Sequence, residues 1–403
     1  MKETNELLGI YLSEVGKKND YLREHYTILD GFPGVMLALA QFYILENNNE
    51  IKNKIELLAC NYLNDLNNYE IHISSSTSGL LTGPLGISAV IDIWAQIGEE
   101  KIFWNELNKR FYKSIEFLLD FWSTTNINDL QSKFKGDWIF GFPGVLTYIC
   151  NCKIAHQNEM KYWRFKKAVQ NICKNDLFKF KVYDNFSLKN LGMAHGTSGI
   201  ILSILEYELS FLNNIDITNN TYLWYKDVSK SIINCIDRYT NDSYDFYDFL
   251  PNSGNRLQTS WCNGLCGLLP LASIMEDKKI LYKIAEFLNK ITPSSINSID
   301  EGIYCICHGF GSIEYAKYYL NNSHLDMSLF KFKNYCILPD INKTKENDIG
   351  FLSGLGGFLA LNASIIKKQR CCFDWMLGMN DFFNSFIQIH NVLLTFYHNK
   401  FYE

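Results

Sequence analysis

The chain has 403 residues, 47% of them apolar and 20% charged, with a formal net charge of -5. That balance excludes a disordered or fibrous chain. With 38 Lys and Arg against 43 Asp and Glu, no basic excess is available to neutralise phosphates, so nucleic-acid binding is excluded as well. Against this ordinary background stand 25 Gly beside only 7 Pro, and 12 Cys.

The opening stretch, MKETNELLGIYLSEV, mixes charges with apolar residues at helical spacing. It lacks the basic, apolar and small-residue regions of a secretory signal, so a cytoplasmic chain with reduced cysteines is expected. The longest uncharged run, from Ile71 to Ile91, is broken by Ser, Thr, Gly and Pro, and no membrane span is expected.

A Gly-x-x-Gly signature then recurs along the chain. It reads GFPG at Gly31 and Gly34, GPLG at Gly83 and Gly86, GFPG at Gly141 and Gly144, and GTSG at Gly196 and Gly199. It continues as GLCG at Gly264 and Gly267, GFGS at Gly309 and Ser312, and GLGG at Gly354 and Gly357. Each is followed by an apolar run such as VMLALAQFYI or FLALNASII. Most are preceded by an amphipathic stretch such as KIELLACNYLNDL or WNELNKRFYKSIEFLLDFW, apolar at helical intervals.

An outer amphipathic helix, a glycine turn and a buried inner helix make a helical hairpin. Pro33, Pro84 and Pro143 fall at helix starts, where a missing N–H costs nothing. Glycine is expected in the turn for positive φ and for close backbone packing. Seven such hairpins closed on themselves predict an all-α, double-layered α/α barrel in one domain spanning 1–403, with inner helices starting at a common rim.

The chemistry-bearing residues cluster at that rim. Asp137 lies four residues before Gly141, where it serves either as a helix cap or as a carboxylate orienting an acid/base group. His195 precedes Gly196 directly. Cys262 and Cys266 flank Gly264, and Cys305 and Cys307 precede His308 and Gly309. Two thiolates and an imidazole at adjacent turns would suit Zn²⁺ with one position open. Cys266 and Cys305 compete for ligand roles, with Cys307 and His308 favoured because they meet their turn as Cys262 does. The remaining eight cysteines read as core packing.

The runs SWCNG, CHG and AHG, with DWIFG before the third signature, resemble the lanthionine synthetase C (LanC-like) cyclases from Gly31 to about Leu361. The resemblance implies an α/α toroid of seven inner and seven outer helices. It implies zinc ligands at Cys262, Cys307 and His308, a general acid/base at His195 and a catalytic aspartate at Asp137. The implied reaction joins precursor-peptide Cys thiols to dehydroalanine or dehydrobutyrine, forming lanthionine or methyllanthionine. It further implies a dehydrated, leader-bearing precursor, a separate dehydratase and an export transporter at the cytoplasmic membrane face.

Three departures stand out. Asn263 follows the first zinc cysteine where the family usually has Tyr or His, an expected arginine is matched only loosely by Arg256 with Gln258 between, and Ser312 replaces a glycine. Two alternatives use the same residues: addition of glutathione or another free thiol to dehydrated residues of other proteins, and a non-catalytic adaptor toroid holding structural zinc. A glycosidase would need paired acids, and only Asp137 and Asp348 lie near the signatures.

Overall fold

The computed structural model describes residues 2–64, 79–124, 137–152, 192–207, 260–275, 277–290, 304–307, 309–322 and 350–378, with isolated positions 210, 229, 233, 330 and 332–334. Regular structure among them is helical throughout. In chain order the α-helices are α1 (Lys2–Lys17), α2 (Asn19–Glu24), α3 (Phe32–Leu45), α4 (Asn49–Asn64), α5 (Pro84–Ile97) and α6 (Lys101–Thr124). There follow α7 (Phe142–Asn151), α8 (Thr197–Tyr207), α9 (Leu265–Ile274), α10 (Lys278–Lys290), α11 (Phe310–Asn322) and α12 (Leu355–Lys367), then a 3-10 turn at Asp374–Leu377.

Seven helices, α3, α5, α7, α8, α9, α11 and α12, begin one residue after the first glycine of a signature. Each packs on the next in chain order, and α12 packs back on α3, so the inner layer is a closed ring. In α3 every residue but Ile44 is buried, as a helix surrounded on all sides requires. The outer helix α10 differs, burying Ile280, Leu281, Ile284, Ala285, Phe287 and Leu288 while its lysines face out. The described outer layer contains α1, α4, α6 and α10; the other three expected outer helices lie outside the described residues.

The turns are stitched to one another through the backbone. Ile28 N–H donates to Leu81 O (2.9 Å), Leu81 to Ile139 (3.3 Å), Trp138 to Ala194 (2.8 Å) and Ala194 to Cys262 (3.1 Å). Cys262 donates to Cys307 (3.1 Å), Cys307 to Leu352 (3.1 Å), and Phe351 returns to Ile28 (3.2 Å). All seven turns thus form one ring of hydrogen bonds at the starts of the inner helices.

The positive-φ half of the glycine expectation needs correcting, while the close-packing half holds. The first glycines at Gly31, Gly83, Gly141, Gly264 and Gly354 have φ between -138° and -104°, a conformation open to any residue. What excludes a side chain is space. A Cβ on Gly267 would strike the carbonyl of Trp261 six residues earlier and the backbone of Met193 in the preceding turn. The matching position in the sixth turn is Ser312, whose hydroxyl donates to Ile306 O at 2.5 Å, again six residues back, and accepts the N–H of Trp261 at 3.2 Å.

After α12 the chain makes a single 3-10 turn at Asp374–Leu377, with Phe373, Met376 and Leu377 buried in the core; a closing helix read from the stretch after Cys372 falls mostly beyond 378, outside the described residues. A segment so enclosed need not be a regular helix when side chains from the surrounding helices bond its backbone.

Candidate functional site

Counting back from the first glycine of each turn puts the candidate residues in register. Asp137, Ser260 and Cys305 stand four places before it, Cys262 and Cys307 two places, and His195 and Asn263 one place. The backbone ring therefore lines up equivalent positions of neighbouring turns along one rim.

Asp137 serves its own turn and the next. Its Oδ1 accepts the N–H groups of Ile139 (2.7 Å) and Phe140 (3.1 Å), closing the turn that precedes α7. Its Oδ2 lies 2.5 Å from His195 Nδ1 in the following turn. The His195 side chain is 35% exposed and that of Asp137 only 11%, so the imidazole is reachable while the carboxylate behind it is sheltered. Phe140 lays its ring beside the imidazole, centroids 6.5 Å apart and planes 20° from parallel. No expectation was attached to Phe140.

The N–H groups of His195 and Ala194 both donate to Cys262 O, each at 3.1 Å, so the turn bearing His195 is fixed directly to the turn bearing Cys262. Cys262 is buried; its S–H donates to Ser260 Oγ at 3.5 Å, and Asn263 Nδ2 donates to its sulfur at 3.5 Å. The Asn263 N–H also donates to Ser260 Oγ, at 3.2 Å, the turn-closing bond that the Phe140 N–H makes to Asp137. The hydrogen bond to Cys262, then burial, then the fields of Cys262, Cys305 and Asp137 hold the Cys307 thiol well above its usual range.

The structure brings together Asp137 with His195, and Cys262 with Cys307, on adjoining turns. Cys266 does not join them: it lies inside α9, where burial pushes its thiol up despite Lys317 nearby. Cys305 is buried beside Cys307. His308, Arg256, Gln258 and Asp348 lie outside the described residues, as do Cys173, Cys235 and Cys336. Among the described residues no three His, Cys, Asp or Glu side chains are grouped to hold a metal. The two touching sulfurs are soft donors of the kind that bind zinc, and their chemistry fits that ion. Cys150, Cys152 and Cys371 are buried and Cys60 and Cys372 partly so, as core cysteines should be.

Ser260, Trp138 and Trp261 went unnoticed in the sequence as site residues. The signal was present: DW before the third glycine turn and SW before the fifth stand in the same register.

A family model described as lanthionine synthetase C-like protein matches residues 24–377. Among solved structures, one described as nisin cyclase matches with a TM-score of 0.61 and 17% sequence identity, over 96% of this chain and 99% of its own. At that identity the likeness speaks for the fold, an α/α toroid. No curated protein matches the sequence. Among the described residues no helix is long and apolar enough to cross a membrane.

Proposed function

The chain belongs to the lanthionine synthetase C-like family, and from that premise we propose that it is a thioether-forming peptide cyclase. It adds Cys thiols of a dehydrated, leader-bearing precursor to dehydroalanine or dehydrobutyrine of the same peptide. The observation that carries this reading is the tie between the Asp137–His195 pair and Cys262, made by the His195 N–H on Cys262 O at 3.1 Å. It puts a proton-handling group beside a sulfur pair on one rim.

Cys262 and Cys307 would hold zinc, with His308 as the third ligand the family resemblance implies. Bound there, zinc would lower the pKa of a substrate thiol from its ordinary value near 8.5 and present it as thiolate. His195 meets the proton demand of the addition. With Nδ1 held by Asp137 Oδ2, Nε2 is the nitrogen that delivers a proton to Cα once the β-carbon has been attacked. The sheltered carboxylate fixes the ring's orientation and favours the charged imidazolium that gives the proton up. Phe140, against the same ring, supplies an apolar wall beside the reacting carbon.

A dehydratase must act first, because dehydroalanine and dehydrobutyrine are themselves the products of removing water from Ser and Thr. A cytoplasmic chain working beside that dehydratase and a transporter, with 1–403 as one domain, completes the proposal.

The test is incubation with a dehydrated precursor, followed by thiol alkylation and mass spectrometry. Loss of alkylatable thiols without mass change is expected. Thiols that stay alkylatable here, while a cysteine-free dehydrated peptide gains the mass of an added small thiol, would overturn the intramolecular reading.

A further inference from the structure

Three places before the glycine of each turn stand Ile28, Leu80, Trp138, Met193, Trp261, Ile306 and Phe351, all buried. The turns bearing Asp137, His195 and Cys262 carry the two tryptophans and the methionine, and all three of these side chains meet the closing segment. Trp138 Nε1 donates to Met376 O at 3.1 Å, and Trp261 Nε1 donates to Leu377 O at 3.1 Å. Met193 lies against Gly378, which has φ 78° and no room for a Cβ beside the thioether.

The segment is moored independently of the site. Gln41 Nε2 donates to Arg370 O at 3.1 Å while its Oε1 accepts the Cys372 N–H at 2.7 Å. Tyr315 donates to Asp374 Oδ1 at 2.7 Å, and Phe373 meets Phe351 edge-on at 4.5 Å between centroids. Its hold thus comes in part from α3, α11 and the seventh turn, while its 3-10 turn also packs on α7.

Burial alone would accept any large apolar side chain, as Ile28, Leu80 and Ile306 show in other turns. An indole only donates, and when its N–H is spent on a fixed carbonyl both the place and the tilt of the ring are set. We propose that Trp138 and Trp261 are positioning residues: pinned to one moored segment, they fix the separation between Asp137–His195 and Cys262–Cys307. This rests on the function proposed above for those four residues. An error of about 1 Å in such a separation costs on the order of a hundredfold in rate.

Trp138→Phe and Trp261→Phe keep a ring and lose the N–H. Trp94→Phe is the control, since Trp94 is equally buried and donates to Met36 O at 3.1 Å away from the site. Two readouts apply to the full chain: kcat and KM on a dehydrated precursor, and the downfield proton resonance of the short Asp137–His195 hydrogen bond.

Both site variants are expected to lose about tenfold or more in kcat with KM within about twofold. Trp138→Phe should also shift or broaden the resonance, while Trp94→Phe changes only the melting temperature. If the site variants behave like Trp94→Phe below their melting temperatures, the positioning role is overturned. If the unmutated protein cyclises no dehydrated peptide, the functional reading fails, and the resonance decides the positioning role: a shift in Trp138→Phe supports it, while an unmoved or absent resonance overturns it.

Discussion

Asp137 divides its carboxylate between two turns, holding His195 Nδ1 with Oδ2 at 2.5 Å and the N–H groups of Ile139 and Phe140 with Oδ1. One side chain therefore serves both the turn before α7 and the candidate site, and substitutions can separate the two.

Asp137→Asn keeps an oxygen for the two N–H groups and turns an NH₂ toward Nδ1, which must then accept. The imidazole is forced into the other tautomer and loses its anionic partner. Cyclisation should fall by about 10² or more, within the range general acid–base groups supply, with melting near that of the unmutated protein. Asp137→Ala also strands the two N–H groups and should cost roughly 1–2 kcal/mol of stability. Cyclisation assays beside thermal melts check both; equal loss of stability in the two variants would contradict the division.

Metal content should follow register. Protein purified with Cys262→Ala or Cys307→Ala is expected to lose bound zinc, whereas Cys266→Ala keeps it, because that sulfur is sealed inside α9. Elemental analysis per chain decides, and retention of zinc by both of the first two variants would remove them as ligands.

Ser312 tests the glycine rule. Ser312→Ala keeps the Cβ the turn already holds but deprives the Trp261 N–H of its acceptor and the Ile306 carbonyl of its donor, at about 1–3 kcal/mol in denaturant titration. Ser312→Gly removes the same hydroxyl and the Cβ as well, and glycine in a helix turn costs roughly 0.5–1 kcal/mol more than alanine, so it should be the more costly change.

Stability should carry a pH signature from Asp374. Burial pushes its carboxyl up to about 7, against the lowering effect of the Tyr315 hydroxyl. Between about pH 4 and pH 7 the unfolded chain ionises this group while the folded chain keeps its proton, so stability falls as pH rises through that window. The loss is roughly 4 kcal/mol at most. Asp374→Asn can still accept from Tyr315, so its melting temperature should exceed that of the unmutated protein at pH 8 and approach it near pH 4. Parallel melting curves across that range would remove Asp374 as the source.

The seven turns were legible because glycine recurs at each, and counting from it puts Cys262, Cys307 and His195 on one rim. The physical cause was not legible: glycine marks both positive φ and missing space, and composition cannot tell them apart. The double use of Asp137 was visible only as two competing readings, since nothing local says that its oxygens serve different turns. The part played by the closing segment was not legible for another reason. Trp138 meets Met376 from 238 residues away, and no periodicity encodes such a pairing.

The ring of backbone bonds also has no first or last member. A linear stack of repeats can shed its terminal unit and keep the rest. Here Ser353 Oγ donates to Leu29 O across 324 residues at 2.9 Å, so the final seam joins the two ends of the repeat array. Little of the inner layer can be in place before that seam closes, which makes folding slow and loss of structure abrupt. Damage to a turn on the far side, such as the Ile28 turn, should therefore reach Cys262 without touching it.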